Sequence, residues 1–509
     1  MKNEVLLRRA LDLLPVLNET RVGALGAVLL SRDEAGRITA GPPEDYRQKP
    51  MKKGDSLILD FGNHQVGYFS LELGTEGSHA DAPVWLKLHF AENPAELFED
   101  ASKYRGWICS SWIEIEQIHV DILPGAVQLP RRYACRYLKV EILDISSKFS
   151  LLIKNAVCRA VSSADDRNLL PYTHENPLYR KLDQIACRTL RSCMQSVFED
   201  GPKRDRRLWM GDLRIQALVN YETYQNYDLV RECLYLFAAL PTDSGQIGAC
   251  LLLGPDPEVD DVVMLDYSLF FVAALRDYYR ATGDRKTLED LWPTALSQLY
   301  LSEAVLTDQD LIRDSDEQGW CFIDWNLELN KQAAAQGVFL YTLRAGMELA
   351  GILEETDIRG KLEMLYESCT NAANIWLWDM DRACYVSGQE RQVSVASQVW
   401  MILGGAVEGA GAASLLKRVM SMDNAVRMVS PYMVHHYVEA LILAGEEDAA
   451  ISYLCDYWGQ MADQGADTFW ELFNPENPHE SPYGGTIVNS YCHAWSCGPA
   501  YFLRKYRPR

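Results

Sequence analysis

Leu178-Tyr-Arg-Lys-Leu-Asp-Gln-Ile-Ala-Cys-Arg-Thr-Leu190 sets its apolar residues three and four apart, the spacing of one face of an α-helix. The same period returns over 267–282, 333–353, 393–407 and 431–444. Small-residue stops punctuate these runs at Thr282-Gly-Asp284, Gly404-Gly405 and Ala444-Gly445. No alternating run of comparable length reappears downstream. The remaining stretch of about 340 residues holds about twelve helices with ordinary connections. Twelve helices arranged as six hairpins make an (α/α)6 toroid, and the funnel at one end of its inner helices suits a sugar.

Upstream the period is two. Leu57-Ile-Leu-Asp-Phe-Gly62 and Val66-Gly-Tyr-Phe-Ser-Leu-Glu-Leu73 flank a turn-prone Gly-Asn-His. Val84 to Phe90 and Tyr137 to Leu143 alternate in the same way, with Gly41-Pro-Pro43 as punctuation. Short alternating strands between turn signals predict an antiparallel β-sandwich of jelly-roll type. The expected fold is therefore multidomain, with a β-sandwich over 1–163 and a large all-α toroid over 164–509.

Composition narrows the function classes. The chain has 509 residues, 48% hydrophobic and 24% charged, as in ordinary globular proteins. A net charge of -22 lacks the basic footprint that phosphate binding needs, so nucleic acid is not expected as a partner, nor an anionic membrane. Met1 to Glu19 shows no apolar core with a cleavage site, and no stretch approaches the roughly 20 apolar residues of a span. The expected location is the cytoplasm. There the 13 scattered cysteines, none in a C-x-x-C pair, read as reduced and mostly buried. The nine histidines offer no H-x-x-x-H, so neither a metal nor another cofactor is expected. No P-loop, G-x-G-x-x-G after a strand, or G-x-S-x-G elbow occurs. A homo-oligomer is compatible with all of this.

The densest chemistry lies in Asp200-Gly-Pro-Lys-Arg-Asp-Arg-Arg-Leu-Trp-Met-Gly-Asp212, where three acids surround Arg204 and Trp209 in a non-periodic stretch. Pro202 stops the preceding helix, and Asp212 is also a plausible cap for the next one. Hydrolysis of a glycosidic bond needs one protonated acid at the leaving group and one carboxylate for water or for carbon. Glu471 is a second candidate, placed by Phe469-Trp470 at the floor of an aromatic cavity beyond the helix break at Gly465. Its separation from Asp205 suits opposing walls of a closed toroid. Trp320-Cys-Phe-Ile-Asp-Trp325 sets Asp324 beside Trp325, a pairing fit for stacking a sugar and holding its hydroxyls. His493 lies in Ser490-Tyr-Cys-His-Ala-Trp-Ser-Cys-Gly498, where a hydrogen-bonded core histidine is the ordinary alternative.

These segments, in this order, resemble the bacterial α-L-rhamnosidases of glycoside hydrolase family 78. Asp200, Pro202, Arg204, Trp209, Gly211 and Asp212 fall at the spacing of one family motif, and Thr468-Phe-Trp-Glu471 matches a second. Tyr491 to Gly498 is similar to a third. Asp60-Phe-Gly62 and Arg136 to Val140 resemble runs of the family's sandwich, so nearly the whole chain is covered. The resemblance implies an inverting glycosidase with Asp205 as general acid and Glu471 as general base. It implies that Asp200, Arg204, Asp212 and His493 bind rhamnose hydroxyls, and that Trp209 and Trp325 face the 6-methyl side; Asp324 and Trp470 complete the expected sugar contacts. Three departures stand out: Asp205 where many members have Glu, Gly201 where Cys is usual, and a third motif reduced to His, Ala and Gly. The alternatives are another six-hairpin glycosidase or an unsaturated-uronide hydrolase, and a carbohydrate-binding relative without catalysis. A helical-repeat scaffold would show a fixed period, and none is found.

Overall fold

The computed structural model describes residues 2–34, 37–315, 317 and 319–506. It opens on α1 (Glu4–Leu11), capped by the Asn3 side chain. Strands β1 (Asn18–Gly23) and β2 (Gly26–Val28) follow, then the hairpin of β3 (Leu30–Arg32) and β4 (Ile38–Ala40). Next come β5 (Ser56–Gly77), β6 (Val84–Ala91), β7 (Ile115–Val120), β8 (Gly125–Gln128), β9 (Tyr133–Asp144) and β10 (Phe149–Ser162). The main sheet is antiparallel, in the order β1-β10-β5-β9-β6-β7, with β2 and β8 also paired to β5. The 22-residue β5 joins these neighbours. Its first part pairs with β9 and β2, its last part with β10 and β8, and the register breaks between Asp60 and Gln65. Gly62 sits in that break at φ +83°, a conformation other residues rarely adopt. Leu57, Leu59 and Phe61, then Phe69, Leu71 and Leu73, turn into one core, as a two-residue period requires. Each such side chain, once fully buried, contributes about 1.5–3 kcal/mol before entropy is counted.

The helical part comprises α2 (Pro177–Cys193), α3 (Met210–Glu222), α4 (Tyr227–Ala239), α5 (Leu265–Thr282), α6 (Arg285–Glu303) and α7 (Gln332–Ile352). It continues with α8 (Thr356–Ala372), α9 (Val395–Leu403), α10 (Gly409–Met420), α11 (Pro431–Leu443), α12 (Glu447–Asp463) and α13 (Gly498–Tyr506). The boundaries follow local chemistry. Asn176 and Ser430 cap α2 and α11 ahead of prolines at the first helical position, and Gly283 ends α5 in the left-handed region. Helix α3 packs on α5, α5 on α7, α7 on α9, α9 on α11, and α13 back on α3. Every residue of α9 is buried, whereas α8 and α10 bury only one stripe.

The N-terminal helix lies with the helices although it precedes the sheet. Leu6, Leu7 and Ala10 of α1 join the helical core against α4, and the Asn3 N–H donates to Ala239 O at 2.8 Å. Only an amphipathic eight-residue helix has the stripe to do this; the strands that follow do not. Among the described residues no helix is long and apolar enough to cross a membrane, and no cluster of three metal-ligating side chains occurs. All 13 cysteines are free, and Cys109 alone is exposed.

Candidate active site

The loops that enter the odd-numbered helices bring the expected residues together. Before α3, the Asp200 N–H donates to Arg207 O at 3.1 Å and the Arg206 N–H to Gly201 O at 3.1 Å, closing a tight loop. The Asp200 carboxylate lies inside it, accepting from the Asp205 N–H and the Arg207 N–H, both at 3.0 Å. A Cβ at Gly201 would stand 2.4 Å from Arg204 O and 2.6 Å from Ser490 Oγ. The loop closes tightly at that position because no side chain stands there. Strand β11 (Leu208–Trp209) then pairs with β12 (Cys250–Leu252), and Trp209 meets the Tyr267 ring edge to face at 6.2 Å. Asp212 does not occupy the cap of α3; it lies in the first turn, and Trp209 holds the cap position with no side-chain bond.

The Thr468–Glu471 segment is held on every side. Thr468 Oγ1 donates to Tyr491 O, the Phe469 N–H to Thr189 Oγ1, and the Glu471 N–H to Ser490 O. The sheet braces it too: Asp467 accepts from the His64 N–H at 2.7 Å and lies 4.0 Å from Arg136, itself a two-bond partner of Asp60. His493 N donates to Phe469 O and Ala494 N to Asp200 O, so the three motifs form one bonded unit. At its centre is Arg204. Its Nη2 donates to Glu471 Oε2 at 2.6 Å, its Nη1 lies 3.4 Å from Asp205 Oδ1, and its Nε donates to Val488 O. Tyr483 donates its hydroxyl to Glu471 Oε1, and Arg204 covers the Tyr483 ring at 4.2 Å.

Known proteins resemble both halves of the chain. The family model for the glycosyl hydrolase family 78 alpha-rhamnosidase N-terminal domain matches residues 34–160. The model for the bacterial alpha-L-rhamnosidase 6 hairpin glycosidase domain matches residues 172–506. The chain belongs to glycoside hydrolase family 78. A rhamnosidase from Klebsiella oxytoca, solved with rhamnose bound, is 43% identical over 100% of this chain and 99% of its own, with a TM-score of 0.97. The family 78 rhamnosidase of Bacillus sp. GL1 shares the fold at 22% identity and TM-score 0.76, covering 94% of this chain and 47% of its own. No curated protein matches. The chain is thus a glycosidase of the α-L-rhamnosidase family.

In this family 78 chain the acids differ sharply in what surrounds them. Asp205 is the accessible one: its side chain is 23% exposed, and its Oδ1 meets only the long Arg204 contact. Burial, reinforced by the neighbouring Asp205 charge, pushes Asp200 up to about 8. Asp212 is driven well above the usual carboxylate range by burial, then by Asp200 and Glu471. Burial also raises Glu471, while Arg204 and the Tyr483 hydrogen bond pull against it. His493 is held far below its ordinary value by burial and by Arg204, so its ring is neutral. Its Nδ1 lies 3.6 Å from Asp212 Oδ1, and neither atom has a hydrogen-bond partner. Two buried polar atoms are thus left without partners, face to face.

Two of the expected sugar contacts are engaged by the chain itself. Asp324 spends both oxygens on the chain, accepting from the backbone N–H groups of Trp325, Val429 and Ser430 and from Ser430 Oγ. It pins the start of α11 with three bonds to Oδ1 and one to Oδ2. The Trp470 ring is 1% exposed, enclosed by Phe473, His479 and Tyr491. Trp325 is part-exposed, its Nε1 has no partner, and it meets Phe322 and Tyr483 edge-on. Its loop is set by Asp266, which accepts from the Phe322 and Ile323 N–H groups and holds Ile323 at φ 55°. Such a backbone angle is a genuine outlier for a β-branched residue, of the kind that accumulates at working sites.

Sequence reasoning missed Tyr483 and the acids of the sheet half. Tyr483 lies in Ser481-Pro-Tyr-Gly-Gly485, which reads only as a turn. Glu96 bonds Lys203 at 2.6 Å, Glu114 bonds Arg206 at 2.6 Å, and Glu99 accepts from the Thr486 and Ile487 N–H groups. Burial lifts Glu96 and Glu114 to about 7 even beside these cations. Nothing local in the β6–β7 connection marks these partners, which come from more than 90 residues away.

Proposed function

We propose that the chain hydrolyses terminal α-L-rhamnosides, or those of a similar deoxy sugar, with inversion at the anomeric carbon. Asp205 acts as general acid and Glu471 as general base. The single observation that carries this is the Arg204 guanidinium, with Asp205 at 3.4 Å from one nitrogen and Glu471 at 2.6 Å from another. That bridge keeps the two nearest carboxylate oxygens within about 8 Å of each other, an upper bound that admits a water between them; inversion itself follows from the family resemblance, and the anomer formed first tests it. Asp205 gives its proton to the glycosidic oxygen as the C1–O bond breaks. A water held by the Glu471 carboxylate adds to C1 from the opposite face and passes its proton to Glu471. Being one methylene shorter than Glu, Asp205 gives up about 1.5 Å of reach, and its loop must carry it closer to the leaving group.

Asp212 and the neutral His493 hold a sugar hydroxyl between their two open atoms, with Arg204 and Asp200 beside them. Trp209 and Trp325 line the methyl side of the ring. Asp324 and Trp470 act on the frame, one fixing the start of α11 and the other packing behind Glu471. We infer the finer architecture with it: a β-sandwich and a closed (α/α)6 toroid divided near 163/164, with α1 docked on the latter. The toroid reading is supported by the succession of odd-numbered helices packed each on the next, with α13 returning to α3. The substrates are small glycosides met in the cytoplasm.

The test is hydrolysis of an aryl α-L-rhamnoside by the wild type, Asp205→Asn and Glu471→Gln, with NMR of the first-formed anomer. Losses of about 10²–10⁴-fold in kcat are expected for each variant, with β-L-rhamnose appearing first. Undiminished turnover in both variants, or α-L-rhamnose appearing first, overturns the assignment.

A further inference from the structure

The Asp205 side chain has little of its own to hold it. It is 23% exposed and makes only the 3.4 Å contact with Arg204, while the Asp205 N–H donates to the Asp200 carboxylate. A carboxyl on a single methylene has little reach to correct a misplaced backbone. The loop around it therefore sets where the proton is offered. The sheet half grips that loop on both sides of Asp205. Two residues before it, the Lys203 ammonium donates to Glu96 Oε2 at 2.6 Å, with both side chains buried. One residue after it, Arg206 Nη2 donates to Glu114 Oε1 at 2.6 Å and to Arg132 O at 3.2 Å.

Both acids are braced in turn. Glu96 Oε1 accepts from the Glu92 and Asn93 N–H groups just beyond β6. Glu114, immediately before β7, accepts from the Ala134 N–H of β9 on Oε2 and from the Phe90 N–H of β6 on its carbonyl. Arg206 has need of such a hold. Its φ is 63°, in the left-handed region that a Cβ disfavours. Its Nε donates to Lys203 O inside the loop, and the bond to Glu114 fixes it from outside. A guanidinium–carboxylate bond between charged groups is among the stronger hydrogen bonds. Resting on the rhamnosidase reading above, we propose that Glu114 is a positioning residue for the general acid, holding Arg206 so that Asp205 meets the glycosidic oxygen, with Glu96 and Lys203 as the matching anchor upstream. The sheet half is then part of the catalytic apparatus. Glu471 keeps partners outside this clamp, the Tyr483 hydroxyl and Ser490 O. Loosening the clamp thus acts first on proton delivery to the leaving group.

The experiment is hydrolysis of methyl α-L-rhamnoside and 2,4-dinitrophenyl α-L-rhamnoside by the full chain. An alkoxide leaves only with a proton, whereas a dinitrophenolate is stable enough to leave without one, so the pair separates acid assistance from everything else. A misplacement of about 1 Å costs roughly a hundredfold in rate. Glu114→Ala should therefore lower kcat/KM for the methyl substrate about tenfold to a hundredfold more than for the dinitrophenyl one. Glu114→Gln keeps an acceptor for Arg206 and should recover part of that split. Arg206→Ala breaks the same clamp from its wetter end and should reproduce the split even if Glu114→Ala does not fold. Asp205→Asn should show the split in full, and adding Glu114→Ala to it should not widen it. Equal losses on both substrates in the Glu114 and Arg206 variants, beside a split in Asp205→Asn, overturn the clamp alone. Equal losses in Asp205→Asn itself overturn the general-acid reading and the clamp with it.

Discussion

Tyr483→Phe removes one oxygen atom and leaves the ring between Arg204, Trp325 and Trp107. What disappears is the hydroxyl bond to Glu471 Oε1, leaving Arg204 as the remaining side-chain donor to that carboxylate. Glu471 is buried, and burial already holds it above the ordinary glutamate range, with Arg204 and Tyr483 opposing. A hydrogen bond to a charged group is worth about 1.5–3 kcal/mol, and one pH unit corresponds to about 1.4 kcal/mol. Losing a donor to the carboxylate disfavours its charged form, so the Glu471 pKa must rise, by about one to two units. The general base works only when ionised, and activity is lost as pH falls through that pKa. The acid limb of kcat/KM, which reports the free enzyme, should therefore move to higher pH by about one to two units. Rates well above the new limb should recover towards the wild-type plateau. The assay is a pH profile of aryl α-L-rhamnoside hydrolysis. A uniform fall in rate with an unmoved acid limb would refute the idea that Tyr483 governs the ionisation of Glu471.

Asp212→Asn should stabilise the protein while disabling it. A carboxyl whose folded pKa lies above its unfolded value keeps its full contribution at low pH and loses it as pH rises through the folded pKa. Wild-type stability should therefore fall as pH rises above about 4 relative to Asp212→Asn, whose amide can also donate to the open His493 Nδ1. A rise in Tm of about 1–3 °C at pH 8 is expected, with a shrinking difference at pH 4 and loss of turnover; equal pH dependence in both proteins would count against it. Arg136→Ala strands the buried Asp60, which keeps the Gly62 N–H as a partner, and frees Asp467 on the approach to Glu471. Breaking a buried pair by removing one partner costs about 3–5 kcal/mol, read as a lowered urea midpoint, and a change below about 0.5 kcal/mol would mean the clamp is idle.

The helical half was legible because its long runs carry the 3.6-residue period in plain view, and caps such as Asn176-Pro177 and Ser430-Pro431 mark their starts. The sheet was legible from alternation, down to Leu57, Leu59 and Phe61 on one face. The catalytic candidates stood out because Asp200, Arg204, Asp205 and Asp212 crowd into a stretch with no period, and Glu471 follows an aromatic step. What remained hidden depends on partners remote in the chain. The placing of α1 on α4 was not visible, since an amphipathic helix does not say which groove receives it. The anchoring of α11 by Asp324 was hidden, because a carboxylate between tryptophans carries no label for the backbone amides at 429 and 430 that donate to it. Tyr483 gave no signal at all, sitting in what reads only as a turn.

Period, punctuation and the type of side chain are local properties, and from them the chain alone determined two halves, their secondary structure and a short set of acids. Which acid is open, which is saturated and which is desolvated was decided only in three dimensions. Solvent access and hydrogen-bond partners come from whatever packs nearby, and here Arg204 meets Glu471 across 267 residues. A carboxylate can act as acid, as base or as scaffold with the same atoms; its surroundings select the role.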